Sequence, residues 1–284
     1  MTTVRLAVAS SRTGWSDDNS TTGHGQQPNG TGGGLEMTTA RLAVGGPISA
    51  IRTGLTPRQD GKGQPVPALL VSYVYLREFQ RNQHDYTYRD WVMDSGAFSA
   101  HQSGTMIRLD DYIARCHLLL QSDKTLTEIF ALDVIGDWKA SLLNCEKMWQ
   151  AGVQAIPCYH VGEPEHVLMS MARDYPKIAL GGAVGYRGRD NWAKQCFSRV
   201  WPKKIHGFGF GSETSLMGVP FHSADASSWE AGPCRFGTWK AYGQMSVRNA
   251  KGRQLRAEVE WYLELERKLK WRWRKEMAQL DALP

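Results

Sequence analysis

The 284-residue sequence predicts an α/β protein built as a (β/α)8 TIM-like barrel. Short apolar runs alternate with stretches of helical period, the pattern of repeated βα units, and several of those runs stop abruptly at an acid or at glycines. In a barrel of this kind the strand ends form the active-site face, so acids and glycines at those points mark it. A doubly wound sheet is the competing arrangement, but Gly207-Phe-Gly-Phe-Gly211 comes late in the chain and lacks the spacing of a dinucleotide-binding loop.

Eight candidate strands follow in order: Arg41 to Val44, Ala68 to Tyr73, Trp91 to Asp94, Ile129 to Asp133, Ala155 to Tyr159, Ile178 to Gly181, Ile205 to Phe208 and Pro220 to Asp225. Helices are expected over Leu109 to Leu120, Trp138 to Gln150, Pro164 to Ala172 and Asn191 to Val200. Residues 1 to 36 are rich in Gly, Ser, Thr, Asn and Gln, and are expected to be a disordered leader. Met1-Thr-Thr-Val-Arg-Leu-Ala-Val8 nearly repeats as Met37-Thr-Thr-Ala-Arg-Leu-Ala-Val44, which suggests that the folded barrel starts at Met37 and runs to residue 250. Residues 251 to 284 hold good helix formers, with no Pro or Gly between Gly252 and Pro284, and are expected to form one long helix.

Bulk composition narrows the function classes. With 42% hydrophobic residues the chain can bury a sizeable core. No apolar stretch is long enough to span a membrane and no signal peptide is evident, so a cytoplasmic protein is expected. Five scattered cysteines without a C-x-x-C pair argue for buried thiols rather than for disulfides or a zinc knuckle. The net charge of +6 suits a polyanionic partner. In the tail, Arg267-Lys-Leu-Lys-Trp-Arg-Trp-Arg-Lys275 interleaves Trp271 and Trp273 with bases. Lys270, Arg272 and Arg274 are candidate nucleic-acid contacts; a solvated basic helix with its tryptophans on the barrel, or a membrane-surface helix, are the other readings of the same residues.

The centre of interest is Trp91-Val-Met-Asp-Ser-Gly-Ala-Phe-Ser99, an apolar run ending at Asp94 and followed by a flexible Ser-Gly. Asp94 is a candidate catalytic acid or the cap of the next helix. Together with Ala131-Leu-Asp133, Leu180-Gly-Gly-Ala-Val-Gly185 and the late Asp225-Ala-Ser-Ser-Trp229, it resembles the tRNA-guanine transglycosylase superfamily, and within it the DNA-acting DpdA branch of bacteriophages and bacterial DNA-modification clusters. The resemblance covers about Arg41 to Trp239. It implies exchange of guanine in DNA for a 7-deazaguanine such as preQ0, protecting phage DNA from restriction in the host cytoplasm, with Asp225 as nucleophile and Asp94 as partner acid. It further implies that Ser95, Asp133 and the Gly181-Gly182 backbone hold the purine edge. The family commonly has a Gln where this chain has His160, which is carried over as a base contact. Relatives acting on tRNA carry a Cys-rich zinc site after the nucleophile; here Cys234 stands alone, so neither metal nor cofactor is expected.

The residue types suit that chemistry. Keeping the anomer through a base exchange takes two inversions, hence a carboxylate that attacks C1′ and is later displaced. A second acid must move protons to the departing base and from the incoming one. Guanine's N1-H and N2-H2 call for a carboxylate and its O6 for an N-H, which Asp133 and the glycine backbone would supply. Arg187 and Arg189, just after the glycine loop, are candidate phosphate ligands. A tRNA-acting enzyme, a base-releasing N-glycosylase and a non-catalytic DNA-binding barrel stay open, as does a homodimer.

Overall fold

The computed structural model describes residues 3–8, 66–85, 87–231, 239–241 and 252–282. It is a mixed α/β protein with one eight-stranded sheet in the order β4-β3-β2-β1-β8-β7-β6-β5. The strands are β1 (Thr3–Val8), β2 (Ala68–Ser72), β3 (Trp91–Asp94), β4 (Leu126–Ile129), β5 (Cys158–His160), β6 (Lys177–Gly181), β7 (Lys204–Gly207) and β8 (Ser223–Ala226). Every paired neighbour runs parallel. Just past the end of β4, Phe130 makes a further parallel bridge to Ile156 in the stretch leading into β5.

Helices connect the strands: α1 (Leu76–Asn82), α2 (Ala97–Gln102), α3 (Leu109–Ser122), α4 (Trp138–Gln150), α5 (Glu165–Asp174), α6 (Arg189–Val200), α7 (Glu213–Gly218) and α8 (Ser228–Ala231). The sequence explains their starts. Asp137 caps α4 by accepting the Ala140 N–H at 3.0 Å, and Ser212 caps α7 through the Ser215 N–H at 3.2 Å. Four of these helices, α1, α2, α7 and α8, escape the periodicity reading because each is too short to show more than two turns of pattern.

All five residues of β2 and of β6 are buried, as expected of parallel strands covered on both faces. Alternate side chains then go to different apolar clusters. Leu69, Val71, Trp91 and Met93 join the large cluster that includes the helices. Leu70, Val92, Phe130, Ile156, Cys158 and Ala179 form a second, smaller cluster. Its members come from β2, β3, β5, β6 and the stretch after β4.

The first strand corrects the expectation for the N-terminus. Thr3–Val8 lies inside the stretch read as a disordered leader, yet it is a strand paired on both sides, Arg5 with Ala68 of β2 and Leu6 with Ala226 of β8. The near-repeat at Met37 carries the same apolar, β-branched signal, so propensity cannot separate the copies; pairing partners distant in sequence do. The strand expected over residues 41–44 falls outside the described residues.

The C-terminal region departs from a single helix. Residues Gly252–Arg272 form α9 and Arg274–Asp281 form α10, divided at Trp273. The break is local, since Trp273 still donates to the Leu269 carbonyl and accepts from Met277, both at 2.9 Å. Leu255, Val259, Tyr262, Leu265, Leu269, Trp273, Met277 and Leu280 are buried at steps of three or four, the stripe that docks the helix pair. Trp273 also gives its indole N–H to the Leu216 carbonyl of α7 at 2.9 Å. Trp271, two residues earlier, points to solvent and is 69% exposed. Among the described residues no helix is long and apolar enough to cross a membrane.

That contrast sets a stability test. Trp273→Ala should cost about 3–5 kcal/mol, the range for truncating a buried aromatic, whereas Trp271→Ala should stay within about 0.5 kcal/mol of the parent. Urea unfolding of the two variants measures the difference.

Candidate functional site

In a fully parallel sheet all strand ends of one kind lie along one edge, and that geometry gathers the candidate residues. Asp94 ends β3, Asp133 follows β4, His160 ends β5, Gly181 ends β6 and Asp225 lies near the end of β8. The backbone around Asp94 is shaped for it. Gly96 has φ +73°, and a Cβ there would sit 2.6 Å from Ser72 Oγ, so glycine is needed both for the turn and for the space. The Gly96 N–H is given to Asp94 Oδ2 at 3.1 Å. Gly96 itself occupies the cap position of α2, and no side chain caps that helix. Asp94 therefore holds the loop rather than capping α2. Ser95 is buried beside it.

The electrostatics of the acids are unusual. Burial, together with the nearby charges of Asp133 and Asp225, pushes Asp94 up to about 7, against the pull of the Gly96 N–H. Burial also pushes Asp225 up to about 7, although Oδ1 accepts the Gly209 N–H at 2.9 Å. Asp225 keeps 9% of its side chain exposed. The charges of Asp133 and Asp225 thus both bear on Asp94, which is itself part-buried.

Behind Asp225 runs a chain of buried polar groups that the sequence reading missed. His206 Nε2 lies 3.4 Å from Asp225 Oδ1, and its Nδ1 is 2.9 Å from Ser223 Oγ. Ser223 Oγ accepts from Lys177 Nζ at 3.0 Å, and Lys177 pairs with both oxygens of Glu128 at 2.7 and 2.8 Å. His206 is fully buried. The chain links β4, β6, β7 and β8. A signal existed: His206 interrupts an apolar run in Ile205-His-Gly207, and Lys177 stands at the head of another. Neither feature separates a satisfied core residue from a functional one without knowing what it faces.

The chain matches no protein-family model and no curated protein.

Around Asp133 a second group assembles. His160 Nε2 lies 3.4 Å from Asp133 Oδ2, and its Nδ1 is 3.0 Å from Glu163 Oε1. The adjoining Cys158 sulfur and the carboxylates of Asp133 and Glu163 hold His160 well above the ordinary histidine range. Burial pushes Cys158 up to about 11, against the pull of the His160 ring beside it. Gly181 makes this packing possible: a Cβ there would fall 2.6 Å from Cys158 Sγ and 3.2 Å from His160 Nε2. Gly182, at φ +66°, turns the chain out of β6 into an exposed loop.

The candidate phosphate ligands divide. Arg187 is exposed. Arg189 is turned inward, donating to Ser212 Oγ at 3.1 Å and Ser215 Oγ at 3.2 Å, with Asp190 at 3.4 Å. In the tail, Lys270 is engaged by Glu266 one turn earlier. The Arg272 and Arg274 guanidiniums lie over the Trp273 and Trp271 rings, 3.9 and 4.8 Å from their centroids. A cavity of about 380 Å³ on the flank of α9, lined by Arg89, Glu266 and Lys270 among others, shares no residue with the acid cluster. Cys116, Cys145, Cys158 and Cys196 are buried free thiols, and Cys234 lies outside the described residues.

The raised acids make a stability prediction. In the folded chain Asp94 keeps its proton up to about pH 7, whereas unfolded it ionises near the ordinary carboxylate value of about 4, so the folded state binds more protons between these limits. Stability must fall as pH rises through that window. Asp94→Asn, which keeps an oxygen for the Gly96 N–H but cannot ionise, should stabilise the fold by about 1–4 kcal/mol near pH 8 and leave it almost unchanged near pH 4. Urea unfolding at both values reads this directly.

Proposed function

We propose that this chain exchanges guanine in DNA for a 7-deazaguanine base such as preQ0, through a covalent aspartyl-sugar intermediate. The observation that carries this reading is that the charges of Asp133 and Asp225 both bear on the part-buried Asp94, with Asp94 and Asp225 both pushed up to about 7. Paired carboxylates with displaced proton affinities are what such an exchange uses. A closed (β/α)8 barrel belongs to the same reading. Its support is the Phe130–Ile156 bridge between the stretches flanking the outermost strands, the Lys177–Glu128 pair reaching from β6 to β4, and an apolar cluster that holds residues of β2, β3, β5 and β6 together. In a flat sheet β4 and β6 would stand six strands apart, about 29 Å, too far for the Lys177–Glu128 pair.

In the proposed reaction an ionised Asp225 attacks C1′ of a flipped guanosine. The Asp225 oxygen–C1′ bond forms as C1′–N9 breaks, and Asp94 gives its proton to the departing guanine. The deazaguanine then enters, passes its ring N–H proton back to Asp94, and attacks C1′ as the aspartyl ester bond breaks. The two inversions restore the anomer. Asp133 accepts from the N1–H and N2–H2 of the purine, with Ser95, His160 and the Gly181-Gly182 backbone along the same edge. His206 acts behind the nucleophile as a positioning residue, its Nε2 3.4 Å from Asp225 Oδ1. Arg187 is the phosphate contact on the loop after β6, and Arg272 and Arg274 extend the basic surface.

Nucleoside mass analysis of DNA from cells making the protein with a preQ0 supply is the decisive experiment. The wild type should give the modified nucleoside and Asp225→Ala none; a modified nucleoside in the Asp225→Ala culture sinks the reading. Free guanine release without incorporation would point to an N-glycosylase, and modified tRNA to an RNA substrate. Exchange rates should form a bell centred near pH 7, because Asp225 must be ionised and Asp94 protonated. His206→Gln should move the rising limb of that bell upward, a change that loss of folding alone does not produce. DNA affinity should fall steeply with salt, and Arg187→Ala should lower the logarithmic salt slope by about 1.

A further inference from the structure

We propose that Asp133, Cys158 and His160 form a binding site for a divalent transition-metal ion, with zinc the best match. One carboxylate oxygen, one thiol sulfur and one ring nitrogen lie within 4.8 Å of one another. Ligands bound to zinc at about 2.0–2.3 Å in a tetrahedron stand about 3.3–3.8 Å apart. The Asp133–His160 separation of 3.4 Å already has that length, and the sulfur needs to move by about 1 Å at most.

The backbone explains why the three meet. Cys158 and His160 are two apart on β5, so their side chains leave the same face of the strand. Asp133 comes from the segment after β4, which the Phe130–Ile156 bridge ties to the stretch leading into β5. Gly181 on the next strand leaves the volume that the sulfur and the imidazole occupy.

The surroundings are those of a metal-binding histidine. Glu163 Oε1 takes the His160 Nδ1 at 3.0 Å, which orients Nε2 toward the other two ligands, the carboxylate–histidine arrangement that commonly backs a bound ion. Glu163 is itself held, since Tyr159 donates its hydroxyl to the Glu163 carbonyl at 2.8 Å. Its second carboxylate oxygen, Oε2, is buried with no hydrogen-bond partner among the described residues. A mixed O, N, S donor set favours zinc over magnesium or calcium, which take oxygen ligands. Three protein ligands leave a fourth position for water or a small donor molecule, as in zinc sites that act on what they bind.

This site stands independently of the base-exchange reading. The two meet at Asp133 and His160, which cannot hold an ion and a purine edge together, so metal and base should compete.

The test is a cobalt titration of the full chain after treatment with a chelator. Tetrahedral cobalt bound by a thiolate gives visible d–d bands and a near-ultraviolet sulfur-to-metal band, and zinc should displace both. The wild type should bind one equivalent. Cys158→Ser should lose the sulfur band, while Cys196→Ser and Cys234→Ser keep it. Glu163→Gln should weaken binding by about 10–100-fold with all three ligands present. Absence of the bands in the wild type, or their survival in Cys158→Ser, overturns the site. Should Cys158→Ser not fold, Asp133→Asn decides: unchanged cobalt affinity there is equally fatal.

Discussion

Parallel pairing is the constraint on which the site depends. Antiparallel neighbours would scatter the ends of successive strands over two edges, whereas here Ser72 pairs with Asp94 and His160 with Gly181 in ladders of one direction. The acids contributed by β3, the segment after β4, and β8 consequently share one rim although Asp94 and Asp225 are far apart in sequence. Burying Asp94 and Asp225 there is costly, and burial pushes both carboxyls well above the usual carboxylate range. Carboxylates in such a place are hard to explain as packing, because an amide or an apolar side chain would fill it with less strain.

Polar groups reach deeper still. A lysine, a glutamate, a serine and a histidine run behind Asp225 where apolar side chains would serve stability better. Glu128, Lys177, Ser223 and His206 Nδ1 are joined by hydrogen bonds, so that part of the chain tolerates burial as a unit and would be expensive to interrupt. Its upper end touches the carboxylate with the clearest chemical potential. Its lower end, the Lys177–Glu128 pair, fixes the first link in place. A frame of this sort limits how far the Asp225 carboxylate can turn, which suits a group that must meet a single sugar carbon.

Much of this was legible in the sequence. Trp91–Asp94 and Trp138–Gln150 agree with expectation to the residue, because an apolar run with a sharp stop and an amphipathic stretch with an Asp cap are strong local signals. The strands around Phe130 and Ile156 begin three residues before and three residues after their expected starts, since an apolar run shows that a strand passes but not which of its residues find partners. The N-terminus could not be read at all, two near-identical segments offering the same local preference. That Asp94, Asp133 and Asp225 lie at or close to the ends of strands was readable from the apolar runs before them. Cys158, Glu163, His206 and Ser223 were not, because their significance lies in neighbours from other strands.

The chain's two extremities lean on each other. β1 is wedged between β2 and β8, and α9 packs across β1 from the far end of the sequence. During synthesis the opening segment must therefore wait, unpartnered on one side, until more than two hundred further residues have left the ribosome. Such long-range closure slows maturation and leaves an exposed sheet edge in the nascent chain. Cells producing this protein would need to shield that edge until β8 arrives to cover it.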